Sequence, residues 1–112
     1  MDCLFCKIAA GEIPSKKAYE DELVYAFEDI NPMAPVHILV IPKTHIANML
    51  EIDENNSSVI SHIFEVIAKI AKENKLEKGF RVVNNCGDSA GQTVKHIHFH
   101  ILSGNNLSEK LV

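Results

Sequence analysis

The chain has 112 residues, 46% of them hydrophobic and 23% charged, a composition that suits an ordinary globular domain and excludes a disordered one. With 15 acidic against 11 basic side chains the net charge is −4, which argues against a binder of polymeric nucleic acid, so any bound anion is expected to be a small one held by local geometry. No run approaches the ~20 apolar residues that span a bilayer, and the length fits a single domain, residues 1–112, with a thin core that an oligomer would supplement.

The first residues, MDCLFCKIAAGEIP, carry an acid at Asp2 and no basic region, unlike a secretion signal. Three cysteines are an odd number, so a disulfide framework is not expected and a reducing, cytoplasmic setting is. Cys3 and Cys6, spaced C-x2-C, are then candidates for metal ligation or redox chemistry, and Cys86 for a free thiol. Residues 4–10 read as a short helix stopped by Gly11 and Pro14. Strands are predicted at 17–21 and 23–29, with a tight turn at Asp21-Glu22, and at 36–42, where Pro42 ends the run. A short helical turn follows around 46–50. The long helix is predicted over 56–75, because Val59, Ile63, Val66, Ile67 and Ile70 recur at helical spacing; Ile60, Phe64 and Ala71 widen the stripe. Asp53, Asn55 or Asn56 can cap it, lysines crowd its end, and Gly79 supplies the stop. Strands at 80–85 and 95–103 follow, separated by the glycine-bearing loop CGDSAGQT. Strands joined by short turns and interrupted by one long helix predict an α+β fold, an antiparallel sheet of about five strands with the helix on one face.

The last strand holds half of the six histidines, in the run His96-Ile97-His98-Phe99-His100-Ile101-Leu102. Alternation along a strand sends the three imidazoles to one face, ~6.6 Å apart, and Ile97, Phe99 and Ile101 to the other. An exposed histidine-rich face and a metal-binding face are both open readings, since imidazole is the commonest metal ligand. The preceding loop, NNCGDSAGQT, adds glycines that admit a close anion and neutral donors from Asn85, Gln92 and Thr93, which suits a phosphate.

The HIHFHIL run resembles the H-φ-H-φ-H-φ-φ signature of the histidine triad (HIT) superfamily. The stretches CLFCKIAAGEIPSKKAYEDELVYAFEDINPMAPVHILVIPKTHI and GFRVVNNCGDSAGQTVKHIHFHIL are similar to the two halves of its Hint branch, so the resemblance covers roughly residues 3–104. It implies a HIT-like fold, an antiparallel meander sheet extended across a homodimer. It also implies a purine nucleotide-binding hydrolase that cleaves the P–N bond of nucleoside 5′-phosphoramidates of the AMP–amine type, with no organic cofactor. By similarity His98 is the nucleophile, its ring held by the main-chain carbonyl of His96. His100 bonds the phosphate and His37 orients the site, although His37 read alone is a core histidine on an apolar strand. Thr93 keeps the hydroxyl where the branch usually has serine. Asp29 accepts from the ribose hydroxyls, and Asn85, Gly91 and Gln92 match phosphate-side contacts. Phe5, Ile8, Phe27, Ile30 and Leu39 match apolar positions around the base. Cys3, Cys6, His45 and His96 match the ligands of a structural zinc in bacterial-type relatives, a closed Cys2His2 set with no open position for water. Two other functions stay open: a dinucleoside polyphosphate hydrolase of the same superfamily, and a nucleotide-sensing or scaffold dimer with vestigial hydrolysis. The tryptophan-free tail SGNNLSEKLV departs from the aromatic tail of some members and leaves the leaving group unassigned.

Overall fold

The computed structural model describes residues 3–111. Its elements are α1 (Leu4–Ala9), β1 (Lys17–Glu20), β2 (Val24–Glu28), β3 (Val36–Pro42), α2 (Ser57–Glu73), β4 (Arg81–Val83) and β5 (Phe99–Ser103), with 3-10 turns at Met49–Glu51 and Asp88–Ala90. The five strands form one antiparallel sheet in the order β1-β2-β3-β5-β4. The first three run as a meander. Helix α2 then carries the chain to the far edge, and β5 turns back into the space between β4 and β3.

Alternation along β3 decides what each face does. Val36, Ile38 and Val40 point to one side, where they pack with Val24, Ala26, Phe99 and Ile101 against Ile63, Val66, Ile67 and Ile70 of α2. Leu39 and Ile41 point to the other side and pack with Tyr25 and Phe27 against Phe5 and Ile8 of α1. The central strand is therefore buried on both faces, which is why it reads as an almost unbroken apolar run. His37 is the exception in that run, and it lies on the α1 side.

Two helix signals differ from their sequence reading. Asn56 takes the N-cap position but spends its side chain elsewhere: Oδ1 accepts from the Asp53 N–H (2.8 Å) and Nδ2 donates to the Glu51 carbonyl (2.9 Å), bracing the turn before the helix. The helix also stops before Gly79. Asn74 is the C-cap and Lys75 adopts the left-handed conformation (φ 59°). The Leu76 N–H then reaches the Ala71 carbonyl (2.8 Å) and the Lys75 N–H the Lys72 carbonyl (3.2 Å), a complete Schellman closure. Burial of Leu76 helps to offset the cost of a lysine at positive φ, about 1–2 kcal/mol.

The final strand is shorter than predicted. β5 begins at Phe99, so His96 and His98 precede it. The β3–β5 ladder ends with Val40 opposite Phe99, and two residues on β3 reaches Pro42, which has no N–H to offer. The 96–98 segment is instead held by the Ile97 N–H on the Ile46 carbonyl (2.7 Å) and by the His96 ring on the Pro42 carbonyl (2.8 Å). Strand β4 likewise spans 81–83 rather than 80–85.

Helix α2 is tied to the β1–β2 turn by a polar cluster. His62 Nε2 lies 2.6 Å from Asp21 Oδ2, which also accepts from the Tyr19 hydroxyl (2.8 Å). Asp21 Oδ1 accepts from the N–H groups of Leu23 and Val24, each at 2.8 Å. Burial works to raise the Asp21 carboxyl, but the bonds from His62, Leu23, Tyr19 and Val24 outweigh it and hold it well below the usual range. The bonds to Asp21 and then Glu65 raise His62. A raised imidazole stabilises fully below its unfolded pKa, ~6.5, and loses that contribution as pH rises through its folded value. The lowered carboxyl contributes above ~4 and loses it on acidification. The pair therefore stabilises most between pH ~4 and ~6.5. We expect His62→Ala to cost about 0.5–1 kcal/mol at pH 5.5, as for a half-exposed pair, and less at pH 8.5. Equal costs at both pH values in urea unfolding would refute the assignment. No helix among the described residues is long and apolar enough to cross a membrane.

Candidate functional site

Beside α1, on the face away from α2, lies a cleft of about 660 Å³, within the ~300–1,000 Å³ usual for small-molecule sites. Its inner walls are apolar: Phe5 and Ile8 from α1, Phe27 from β2 and Leu39 from β3. Asp29, Thr93, His98 and His100 supply its polar end. Phe5 packs edge-on against both Phe27 (5.5 Å between centroids) and His98 (5.1 Å), so one side chain joins the apolar wall to the imidazoles.

Hydrogen bonds assign the tautomers. His98 Nδ1 lies 2.8 Å from the His96 carbonyl. A carbonyl only accepts, so the proton sits on Nδ1 and the lone pair on Nε2. The Met33 N–H donates to His37 Nδ1 (3.0 Å), which places the His37 proton on Nε2. That proton faces His100 Nδ1 at 2.9 Å and Asp29 Oδ2 at 3.4 Å. Where His100 Nδ1 accepts it, the His100 proton is on Nε2, a donor. Burial lowers both imidazoles that line the cleft: it is the largest influence on His98, and with the neighbouring His98 and His37 it brings His100 down to about 4. Both rings are therefore neutral at pH 7. Asp29, His37 and His100 lie close enough to share a cation, but a His37 protonated on Nε2 is a donor there and not a ligand.

A second cluster sits behind His98. Cys3, Cys6, His45 and His96 bring two thiols and two ring nitrogens within 4.8 Å of one another. His96 Nδ1 is 3.3 Å from Cys3 Sγ, 3.5 Å from Cys6 Sγ and 3.2 Å from His45 Nδ1, and Cys6 Sγ is 3.5 Å from His45 Nδ1. Tetrahedral bonds of ~2.3 Å to sulfur and ~2.0–2.1 Å to nitrogen give edges of about 3.3–3.8 Å, so the donor set fits zinc. The tautomer fits too, because the His96 bond to the Pro42 carbonyl keeps the proton on Nε2 and leaves Nδ1 bare. Burial and the adjacent Cys3 push the Cys6 thiol up to about 11, so ligation there requires expulsion of a proton by a cation. Cys3, Cys6 and Cys86 form no disulfide.

Several predicted residues land elsewhere. Asn85, Gly91 and Gln92 do not line the cleft. Gln92 is buried, with Nε2 donating to the carbonyls of Ala47 (2.7 Å) and Val94 (3.0 Å) and Oε1 accepting from the Gly87 N–H (2.9 Å). Asn85 Nδ2 closes the same loop on the Ala90 carbonyl (2.8 Å). The N–H groups of Gly91 and Gln92 bond the Asp88 and Gly87 carbonyls, so both are engaged within the loop. Gly91 is left-handed (φ 88°), which explains the glycine without invoking an anion. Ile30 stands at the rim, 91% exposed. Sequence reasoning missed Met33, whose role is a main-chain N–H and leaves no residue signature. It also missed Lys16 and Glu28 at the mouth, an ion pair at 3.5 Å.

An antiparallel sheet whose H-x-H-x-H run turns two imidazoles to an apolar cleft and the third to a thiol cluster has the architecture of a histidine triad domain. Residues 10–107 match the HIT domain, and the chain belongs to that family. It superposes on a HIT family hydrolase from Clostridium thermocellum with a TM-score of 0.96 at 49% identity, covering 99% of this chain and 97% of the other. A histidine triad nucleotide-binding protein from Candida albicans gives 0.82 at 36% identity, covering 99% and 87%. A 14 kDa zinc-binding protein of Zea mays is 44% identical over 107 residues, covering 94% of this chain and 84% of the relative.

Proposed function

We propose that the protein is a nucleotide-binding hydrolase that cleaves the P–N bond of purine nucleoside 5′-phosphoramidates through a nucleotidyl intermediate on His98. The observation that carries this reading is the bond from His98 Nδ1 to the His96 carbonyl, which leaves a neutral Nε2 on a ring lining the cleft beside His100. The similarity to a HIT family hydrolase and to a nucleotide-binding member supports it. His98 Nε2 attacks the α-phosphorus, the P–N bond breaks, and the departing nitrogen takes up a proton to leave as the amine. Water then attacks the same phosphorus, the P–His98 bond breaks, and the proton released by water balances the one the amine took. His100 donates Nε2–H to a phosphate oxygen as charge develops on it, and Thr93 offers a hydroxyl at the same end. His37 orients His100. Asp29 accepts from the ribose hydroxyls, while Phe5, Ile8, Phe27 and Leu39 hold the base, with Ile30 at the rim. Gly91, Gln92 and Asn85 shape the loop that presents Thr93.

Zinc is the metal we assign to Cys3, Cys6, His45 and His96, in a structural role, in line with the zinc-binding relative. We further assign a homodimer joined along the β4 edge, where Val82 and, on α2, Phe64 are exposed; a sedimentation mass of one chain, 12.5 kDa, would remove it. The thiols suit a cytoplasmic setting.

The test is a substrate panel: an adenosine 5′-phosphoramidate, its guanosine counterpart and a diadenosine polyphosphate. Turnover confined to the phosphoramidates is the expected result. Faster cleavage of the polyphosphate assigns the other superfamily activity. Tight AMP binding with no turnover of any of the three assigns a sensing or scaffold role.

A further inference from the structure

Among the described residues, one buried side-chain polar atom has no partner: Oδ1 of Asn84. Buried acceptors are nearly always satisfied, so an orphan needs a reason. The other end of the same amide supplies one. Asn84 Nδ2 donates to the main-chain carbonyl of His98 at 2.9 Å. Turning the amide round to satisfy Oδ1 would set oxygen against oxygen at His98, so the present orientation is imposed by that carbonyl.

The sheet explains why a side chain does this work. The β4–β5 ladder ends with Val83 opposite His100. The chain after β4 must leave the sheet to form the loop that carries Thr93, and β5 is not yet a strand at His98. The segment bearing His98 is thus outside the regular ladders on both sides, since the β3–β5 ladder ends at Phe99.

We propose that Asn84 is a positioning residue for His98: its amide replaces the bond that a continuing β4 would have made and fixes the main chain from which the imidazole projects. Two bonds then set the ring, one from Asn84 to the residue's own carbonyl and one from Nδ1 to the carbonyl of His96. The proposal rests on the assignment of His98 as nucleophile, but its test separates the two.

Two variants are compared with wild type. Asn84→Leu is similar in shape and lacks both donor and orphan acceptor; Asn84→Asp is similar in shape and sets an acceptor against the carbonyl. Phosphoramidate kcat should fall about ten- to a hundredfold in both, with KM within about twofold, because neither variant touches the cleft. Asn84→Leu discards the orphan acceptor but also strands the His98 carbonyl, two opposed effects, so it should fold with a Tm close to that of wild type. At one fixed pH, the slowly exchanging Nδ1–H signal of His98 in imidazole-detected 15N NMR should broaden or vanish in both variants. That signal is read without turnover, so an inactive wild type defeats the phosphoramidase reading while NMR still decides the role of Asn84. The proposal is overturned if kcat stays within twofold, if the His98 signal is unchanged, or if both variants fail to fold, which would make Asn84 a folding residue only.

Discussion

Replacing His98 by Asn is expected to leave a folded protein whose phosphoramidate turnover is lower by about 10⁴-fold or more, the scale of nucleophile removal in enzymes that work through covalent intermediates. Asparagine is the informative choice because its amide N–H can take over the bond that His98 Nδ1 makes to the His96 carbonyl at 2.8 Å. It keeps that main-chain bond while removing the ring and, with it, the Nε2 proposed as the nucleophile. Nucleotide affinity should change little, since the walls of the cleft, Phe5, Ile8, Phe27 and Leu39, are untouched. Wild type quenched under turnover in alkaline denaturant, where a P–N(histidine) bond survives, should show a fraction of chain bearing a nucleotidyl mass increment, and the variant none. Turnover of the variant at the wild-type rate would remove His98 as the nucleophile. A variant still labelled with nucleotide would move the covalent step to another side chain.

The second large effect is expected from the thiol–imidazole cluster. Protein purified without added metal should carry one equivalent of zinc per chain. Stripping it, or replacing Cys3 or Cys6 by Ser, should lower stability by about 4 kcal/mol where free zinc stands a thousandfold above its dissociation constant. For a domain of this size that corresponds to a fall in Tm of roughly 15–30 °C. The size follows from what the cluster ties together: Cys3 and Cys6 belong to the start of α1, His45 follows β3, and His96 leads into β5. Without a cation the same four groups are left with only weak mutual hydrogen bonds, and the binding free energy of the metal is missing from the folded state. At saturating substrate, loss of activity should follow melting rather than precede it. Zinc well under one equivalent, together with a melting point indifferent to chelation, would refute the assignment.

The elements legible in the sequence were those carried by side-chain period. The helical spacing of Ile63, Val66, Ile67 and Ile70 located α2, and the alternation in HIHFHIL separated Ile97, Phe99 and Ile101 from the histidines. Cys3 and Cys6 were legible from their C-x2-C spacing and the triad histidines from alternation, but Asp29, His37 and His45 were legible only through resemblance, because taken singly they are ordinary residues of strands and loops. What stayed hidden was set by the main chain. The Schellman closure at Lys75 uses a residue no stop signal names. The late start of β5 reflects a missing N–H on a neighbouring strand. The NNCGDSAGQT loop has the composition of an anion cradle, yet the N–H groups of Gly87, Ala90, Gly91 and Gln92 and the amide of Asn85 are taken up inside the loop.

One feature of α1 reaches beyond its six residues. Cys3, at its N-cap, and Cys6 face the thiol–imidazole cluster, while Phe5 and Ile8 wall the cleft. A helix too short to be stable by itself thus serves two sites with interleaved side chains, and whatever anchors it for one anchors it for the other. If the two sites hold zinc and a nucleotide as proposed, their occupancies are expected to be linked, zinc tightening the grip on a nucleotide by the same factor by which a nucleotide tightens the grip on zinc. Equal AMP affinity in metal-loaded and metal-stripped protein, measured below the melting temperature of both, would show that α1 holds its place unaided.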